Sequence, residues 1–122
     1  MVATTVHEKI TVETNGNGQA VLKGRGMEQR SPVLISGPFE ITAVNDDGTR
    51  VALVTPRHAL HIFEWTNKGW VQVLMRSRFS GPASRLEWNE KSNVPELIMQ
   101  LANGQQYQAL PGEHGWYIPS LE

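Results

Sequence analysis

The sequence predicts an all-β, antiparallel fold built from two to three propeller-blade-like units. Three observations carry this. Apolar and polar residues alternate with period two along most of the chain. Turn signals recur at roughly the 8–12-residue spacing of short-stranded β folds. Part of the sequence also repeats itself. The 122 residues, 39% of them hydrophobic, are enough for one domain with a modest core.

Taken in order, Val6, Ile10 and Val12 alternate with His7, Lys9, Thr11 and Glu13, the pattern of a half-buried strand. Asn15-Gly16-Asn17-Gly18 follows, a turn signal because Asn and Gly tolerate positive φ. Gln19 to Lys23 is the returning strand, and Gly24 to Pro32 is polar and reads as a loop. Val33-Leu34-Ile35 is a short apolar run ended by Ser36-Gly37-Pro38. Phe39 to Val44 and Thr49 to Val54 flank Asn45-Asp46-Asp47-Gly48, a second hairpin. Ala59 to Trp65 turns through Thr66-Asn67-Lys68-Gly69 into Trp70 to Met75. Ser84 to Trp88, Glu96 to Leu101, Gln105 to Leu110 and Gly115 to Ile118 complete the strands. Leu97 to Leu101 is the one helix candidate, and it is too short to stand as one.

The repeat relates Gly37-Pro38 to Gly81-Pro82 at an offset of 44, with Asn45 on Asn89 and Leu53 on Leu97. Asn67-Lys68-Gly69-Trp70 falls on Glu113-His114-Gly115-Trp116 at an offset of 46. Each copy holds four strands, the content of one blade. A third, fragmentary copy is expected over Ile10 to Lys23. The organisation expected is one domain: a hairpin and loop over 1–32, then two blade-like repeats over about 37–80 and 81–122. Glycine permits the turn before each Gly-Trp tryptophan, which then covers apolar surface between neighbouring sheets. A stack of two or three units leaves open faces, so association with copies of itself is expected, as a cyclic homo-oligomer.

Arg50-Val51-Ala52-Leu53-Val54, followed by Ala59 through Trp65 to Gly69-Trp70, resembles the repeat of small propeller lectins, the fucose-binding and related sugar-binding propellers of fungi and bacteria. Glu96 to Gln100, Asn103-Gly104-Gln105 and Gly115-Trp116 fit the same frame more loosely, and the resemblance covers about residues 37–121. It implies carbohydrate recognition between blades, with Arg50 at the place of the sugar-clamping arginine. Some such lectins are short chains that trimerise to close the ring. The second copy has Glu96 or Leu97 where that arginine belongs, and the family's glutamate falls on Ile62, with Glu64 close by.

Composition narrows the function. The net charge of −1 excludes a generally polybasic nucleic-acid binder. The absence of Cys excludes disulfides, thiolate metal sites and cysteine nucleophiles. No apolar run approaches the ~18 residues of a membrane span. The first residues show neither a basic nor an apolar leader segment, so a cytoplasmic or non-classically exported protein is expected. Residues 50–85 carry six basic side chains against Glu64 alone, whereas residues 86–122 carry five acidic and one basic. This asymmetry reads as two solvated faces, or as charge complementarity between subunits with Arg76, Arg78 and Arg85 near a neighbour's acids; a phosphate-binding patch comes third, since nothing Gly-rich or helical accompanies the arginines.

A sugar site needs a flat aromatic and fixed polar groups. Arg50, Glu64, Trp65, Trp70 and Trp116 are the candidate ligand-binding residues, with the tryptophans alternatively serving as core wedges. His58 and His61 point to opposite faces of a strand and make no metal site. Asp46-Asp47-Gly48 lacks the alternating oxygens of a calcium loop and reads as a turn. Ser36, Ser80 and Ser84 have no nucleophile elbow around them, and no phosphate-binding fingerprint is present. Glu87 and Glu90 are a carboxylate pair whose separation the sequence does not set. Trp65, Trp70, Arg76, Arg78 and Phe79 offer a weaker single-strand nucleic-acid platform. The expectation is a binding protein without cofactor or catalytic residue, taking a glycan, or alternatively a protein partner.

Overall fold

The computed structural model describes residues 10–23, 33–91 and 93–121. Its strands are β1 (Thr11–Thr14), β2 (Ala20–Lys23), β3 (Val33–Ile35), β4 (Ile41–Val44), β5 (Arg50–Val54) and β6 (Leu60–Thr66), then β7 (Gly69–Arg76), β8 (Ala83–Asn89), β9 (Glu96–Leu101), β10 (Gln106–Gly112) and β11 (Gly115–Tyr117). A 3-10 turn over Pro119–Leu121 is the one helical segment among the described residues. The chain is all-β, and every strand pair is antiparallel. Consecutive strands build three meandering, blade-like sheets: β1-β2-β3, β4-β5-β6-β7 and β8-β9-β10-β11. The Val6 to Lys9 part of the first expected strand and the Gly24 to Pro32 loop lie outside the described residues. Because β3 pairs with β2, the first sheet takes in residues 33–35, and the passage to the second runs through 36–40.

The turns follow from their residues. Asn15 and Asn45 each accept a backbone N–H four residues on, from Gln19 at 3.0 Å and Thr49 at 2.9 Å. Gly18 and Gly48 then take φ of 77° and 75°, a region that suits glycine. The same Asn-to-Gly device therefore closes the first hairpin of both the first and second sheets.

Packing proceeds sheet on sheet. Val12, Ala20 and Leu22 meet Val51, Leu53 and Phe63 on one face of the second sheet. On its other face Ala52, Val54, Leu60 and Ile62 meet Leu97, Met99, Leu101 and Ala109 of the third. The second sheet is covered on both sides, so four successive residues of β5, Val51–Val54, are all buried. Full burial of one such side chain is worth about 1.5–3 kcal/mol. The third sheet ends the stack with a polar outward face, where Glu87 and Gln108 flank Ile98 and Asn89 bonds Glu96 at 2.7 Å.

The two four-stranded sheets correspond strand for strand. Gly69 and Gly115, with φ of 100° and 109°, precede Trp70 and Trp116 at the start of the fourth strands. Each tryptophan leans toward the preceding sheet. Their surroundings differ. A Cβ on Gly115 would sit 2.7 Å from the Val73 carbonyl oxygen of β7, whereas one on Gly69 meets no described atom within 4 Å. Among the described residues the first sheet has three strands where the others have four, and no described atom stands beside Gly69 as β7 stands beside Gly115.

Candidate functional site: the seam between the second and third sheets

Arg50 opens β5 directly opposite Glu64 on β6, so the register itself makes them a cross-strand pair. Arg50 Nε donates to Glu64 Oε2 at 2.8 Å, and Nη1 donates to Glu90 Oε2 at 2.6 Å. Glu90 follows β8, so this second ion pair ties the third sheet to the second. Asn45, only 5% exposed, locks the corner. Its Nδ2 donates to Glu90 Oε1 and Oε2 at 3.1 and 3.2 Å, and its Oδ1 accepts the Arg50 N–H at 2.8 Å. The Arg50 guanidinium lies 5.8 Å from the Trp116 ring centroid, and Trp88 meets that ring edge-on at 5.5 Å.

Roughly a quarter of each charged side chain remains exposed: 27% for Arg50 and Glu90, 25% for Glu64. Burial alone would lower the Arg50 pKa, but the hydrogen bonds to Glu64 and Glu90 outweigh it and hold the guanidinium above its ordinary value. In the adjacent turn the Thr49 hydroxyl donates to Asp47 and holds that carboxyl below its ordinary value, while partial burial works the other way.

Beside this cluster runs a groove of about 260 Å³ between β4 and β8, lined by Asn45, Asp46, Leu86, Glu87, Trp88 and Glu90. Trp88 is fixed by donating its indole N–H to the Ala43 carbonyl at 3.0 Å. The groove therefore combines an aromatic wall with the Asn45 amide and the Asp46 and Glu90 carboxylates, while Glu87, the strand neighbour of Trp88, belongs to the outward face and pairs with Arg85.

The five sequence-predicted residues divide into two places. Arg50, Glu64 and Trp116 come together at the seam, with Trp116 buried at 5% exposure. Trp65 and Trp70 lie on the opposite face of the second sheet, edge to face with ring centroids 5.6 Å apart. There Trp70 packs into the cluster shared with the first sheet and Trp65 is 54% exposed. The stacking face expected beside Arg50 thus comes from the third sheet, because Glu64 and Trp65 are neighbours on one strand and must point opposite ways.

Sequence reasoning left Asn45 as a turn residue and Glu90 as half of an unplaced carboxylate pair. The signal for their role is the repeat, which sets Asn45 on Asn89, immediately before Glu90. Arg85, expected to reach a neighbouring subunit, pairs with Glu87 of its own strand. Among the described residues no group of three His, Asp or Glu side chains is placed to hold a metal ion. His61 Nδ1 meets Gln72 Oε1 at 2.7 Å on the face that carries Trp65, and His58 sits in the β5–β6 turn.

No family model, no curated protein and no solved structure matches this chain. The likeness to lectin repeats therefore rests on the motifs of residues 37–121, and the functional argument rests on the seam.

Proposed function

We propose that this protein is a non-enzymatic binding protein that recognises a neutral carbohydrate in the β4–β8 groove. The observation that carries the reading is the pairing of the Trp88 wall with Asn45, Asp46 and Glu90 in a space suited to one sugar ring. Aromatic surface serves the C–H face of a sugar, and fixed amide and carboxylate oxygens serve its hydroxyls. Arg50 and Glu64 are positioning residues here, because the Arg50 fork fixes the Glu90 carboxylate. The Asp46 and Glu90 carboxylates, with no lysine or arginine among the described lining residues, argue against an anionic ligand in this groove.

Titration calorimetry against neutral mono- and disaccharides tests this. Saturable binding that is lost in Trp88→Ala and weakened about tenfold or more in Arg50→Met is expected, given about 1.5–3 kcal/mol for hydrogen bonds to charged groups. No binding to any neutral sugar by the folded protein would remove the reading.

A protein-interaction module is the second reading, and one observation favours it. Trp65 and Met75, each 54% exposed, stand on the face of β6 and β7 that carries Trp70. That reading requires a partner whose capture fails in Trp65→Ser, with no response to sugars. Self-association fits either reading, through the exposed Trp65 and Met75 of β6 and β7.

A further inference from the structure

We propose a second ligand site, for a sulfate or phosphate group, in the cleft between the β7–β8 connection and the β9–β10 hairpin. The inference does not rest on the sugar groove, which lies elsewhere along the seam and has lining of the opposite charge. The cleft holds about 480 Å³, and its polar lining is Arg76, Ser77, Arg78, Ser80 and Gln105, with the Tyr107 ring beside them. No carboxylate is among the described residues that line it. Arg50 and Arg85 are ion-paired within the chain, whereas Arg76 and Arg78 have no carboxylate partner among the described residues. Two unpaired guanidinium groups in one concavity concentrate positive potential, and their planar forks match the oxygens of a tetrahedral anion.

The backbone supplies an independent observation. Arg78 has φ of 69°, a conformation the chain otherwise gives to Gly18, Gly48, Gly69, Gly104 and Gly115, with His58 the only other described exception. A side chain there carries strain that glycine would relieve. The segment is held in that shape from both sides. Phe79 is 8% exposed, donates its N–H to the His58 carbonyl, and meets Tyr107 edge-on at 5.1 Å. Across the cleft Ser80 Oγ donates to Gln105 Oε1 and accepts from Asn103 Nδ2, so the polar rim is fixed rather than loose. A strained arginine on a rigid connection, lining with a second arginine a cleft that has no carboxylate among its described residues, is the arrangement of an oxyanion site.

Amide NMR titrations with inorganic sulfate and inorganic phosphate test it, with chloride at matched ionic strength as the control. Saturable shifts at Ser77, Arg78, Ser80 and Gln105 are expected with sulfate or phosphate and not with chloride. If both anions saturate, sulfated and phosphorylated monosaccharides then show which ester the cleft prefers. Arg78→Gly is the decisive variant: glycine accepts the backbone, so the melting temperature should hold or rise while anion affinity falls about tenfold or more. Arg76→Gln should weaken binding similarly. An equal response to chloride, or unchanged sulfate and phosphate affinity in Arg78→Gly, would overturn the site. Neutral-sugar binding measured in Arg78→Gly reports separately on the β4–β8 groove.

Discussion

Trp116 and Trp70 hold the same position in the repeat and very different positions in the energetics, which makes their truncation a sensitive test of the stack. Trp116 is 5% exposed, sits in the core between the second and third sheets, and touches both Trp88 and Arg50. Trp116→Ala removes a buried aromatic and leaves a cavity, a change worth about 3–5 kcal/mol. That is a large share of the roughly 5–15 kcal/mol that holds a domain together. At about 3–5 °C per kcal/mol for a chain of this size, the midpoint should drop by about 10–20 °C. Trp70 is only half-buried, so Trp70→Ala should cost about half as much. The Trp116 indole N–H is buried without a hydrogen-bond partner, so Trp116→Phe gives up area but relieves an orphaned donor. Its cost should stay below about 2 kcal/mol. Thermal melts followed by far-ultraviolet circular dichroism measure all three without relying on the tryptophans removed. Equal losses for the two alanine variants would show that the sheets do not stack as described.

Other outcomes follow from the same geometry. Glu90→Ala and Arg50→Met, combined in a double-mutant cycle read by urea unfolding, should show a coupling of about 1 kcal/mol, reduced from a buried pair by the quarter exposure of both groups. A coupling of zero would mean the seam is not held by that pair. Asp47, whose pKa is lowered, stabilises its turn fully above the ordinary carboxylate pKa and loses that contribution as pH falls through the depressed value. Protection factors at Gly48 and Thr49, each taken relative to the intrinsic exchange rate at the same pH, should fall across that acid window, and Asp47→Asn should abolish the extra pH dependence. Gly115→Ala should cost at least about 1 kcal/mol more than Gly69→Ala, since both force positive φ but only the first drives a Cβ onto the Val73 carbonyl. Light scattering at tens of micromolar, on the order of ordinary interface affinities, should give a particle heavier than the 13.6 kDa chain. A 13.6 kDa particle would refute self-association.

Much of the fold was written in local chemistry. Asn45 and Gly48 announce their hairpin because one side chain and one missing side chain satisfy a turn without distant help. Gly69-Trp70 and Gly115-Trp116 mark the fourth strands for the same reason. The Arg50–Glu64 pair was half legible: both residues stood out, but their meeting depends on a register that the Asn45 turn sets. Glu90 was not legible as their partner. It reaches Arg50 across two sheets, and no periodicity within a strand encodes that distance. The separation of Trp65 from Glu64 onto opposite faces was available from period two alone.

The middle sheet draws its burial from both neighbours, and this has a consequence for how the chain comes together. Contacts within each sheet join strands adjacent in sequence, so hairpins such as β6–β7 close quickly and locally. A lone sheet of this kind exposes Val51, Leu53 and Phe63 on one side and Ala52, Val54 and Ile62 on the other until its neighbours dock. The four-stranded meander of β4 to β7 is therefore the template, and during synthesis its Ala52, Val54 and Ile62 face stays uncovered until residues 83–121 have followed, whereas the first sheet, which covers the other face, precedes it in the chain. Once stacked, its β5 amides should be the slowest in the molecule to exchange with solvent, because reaching them requires a flanking sheet to come away first.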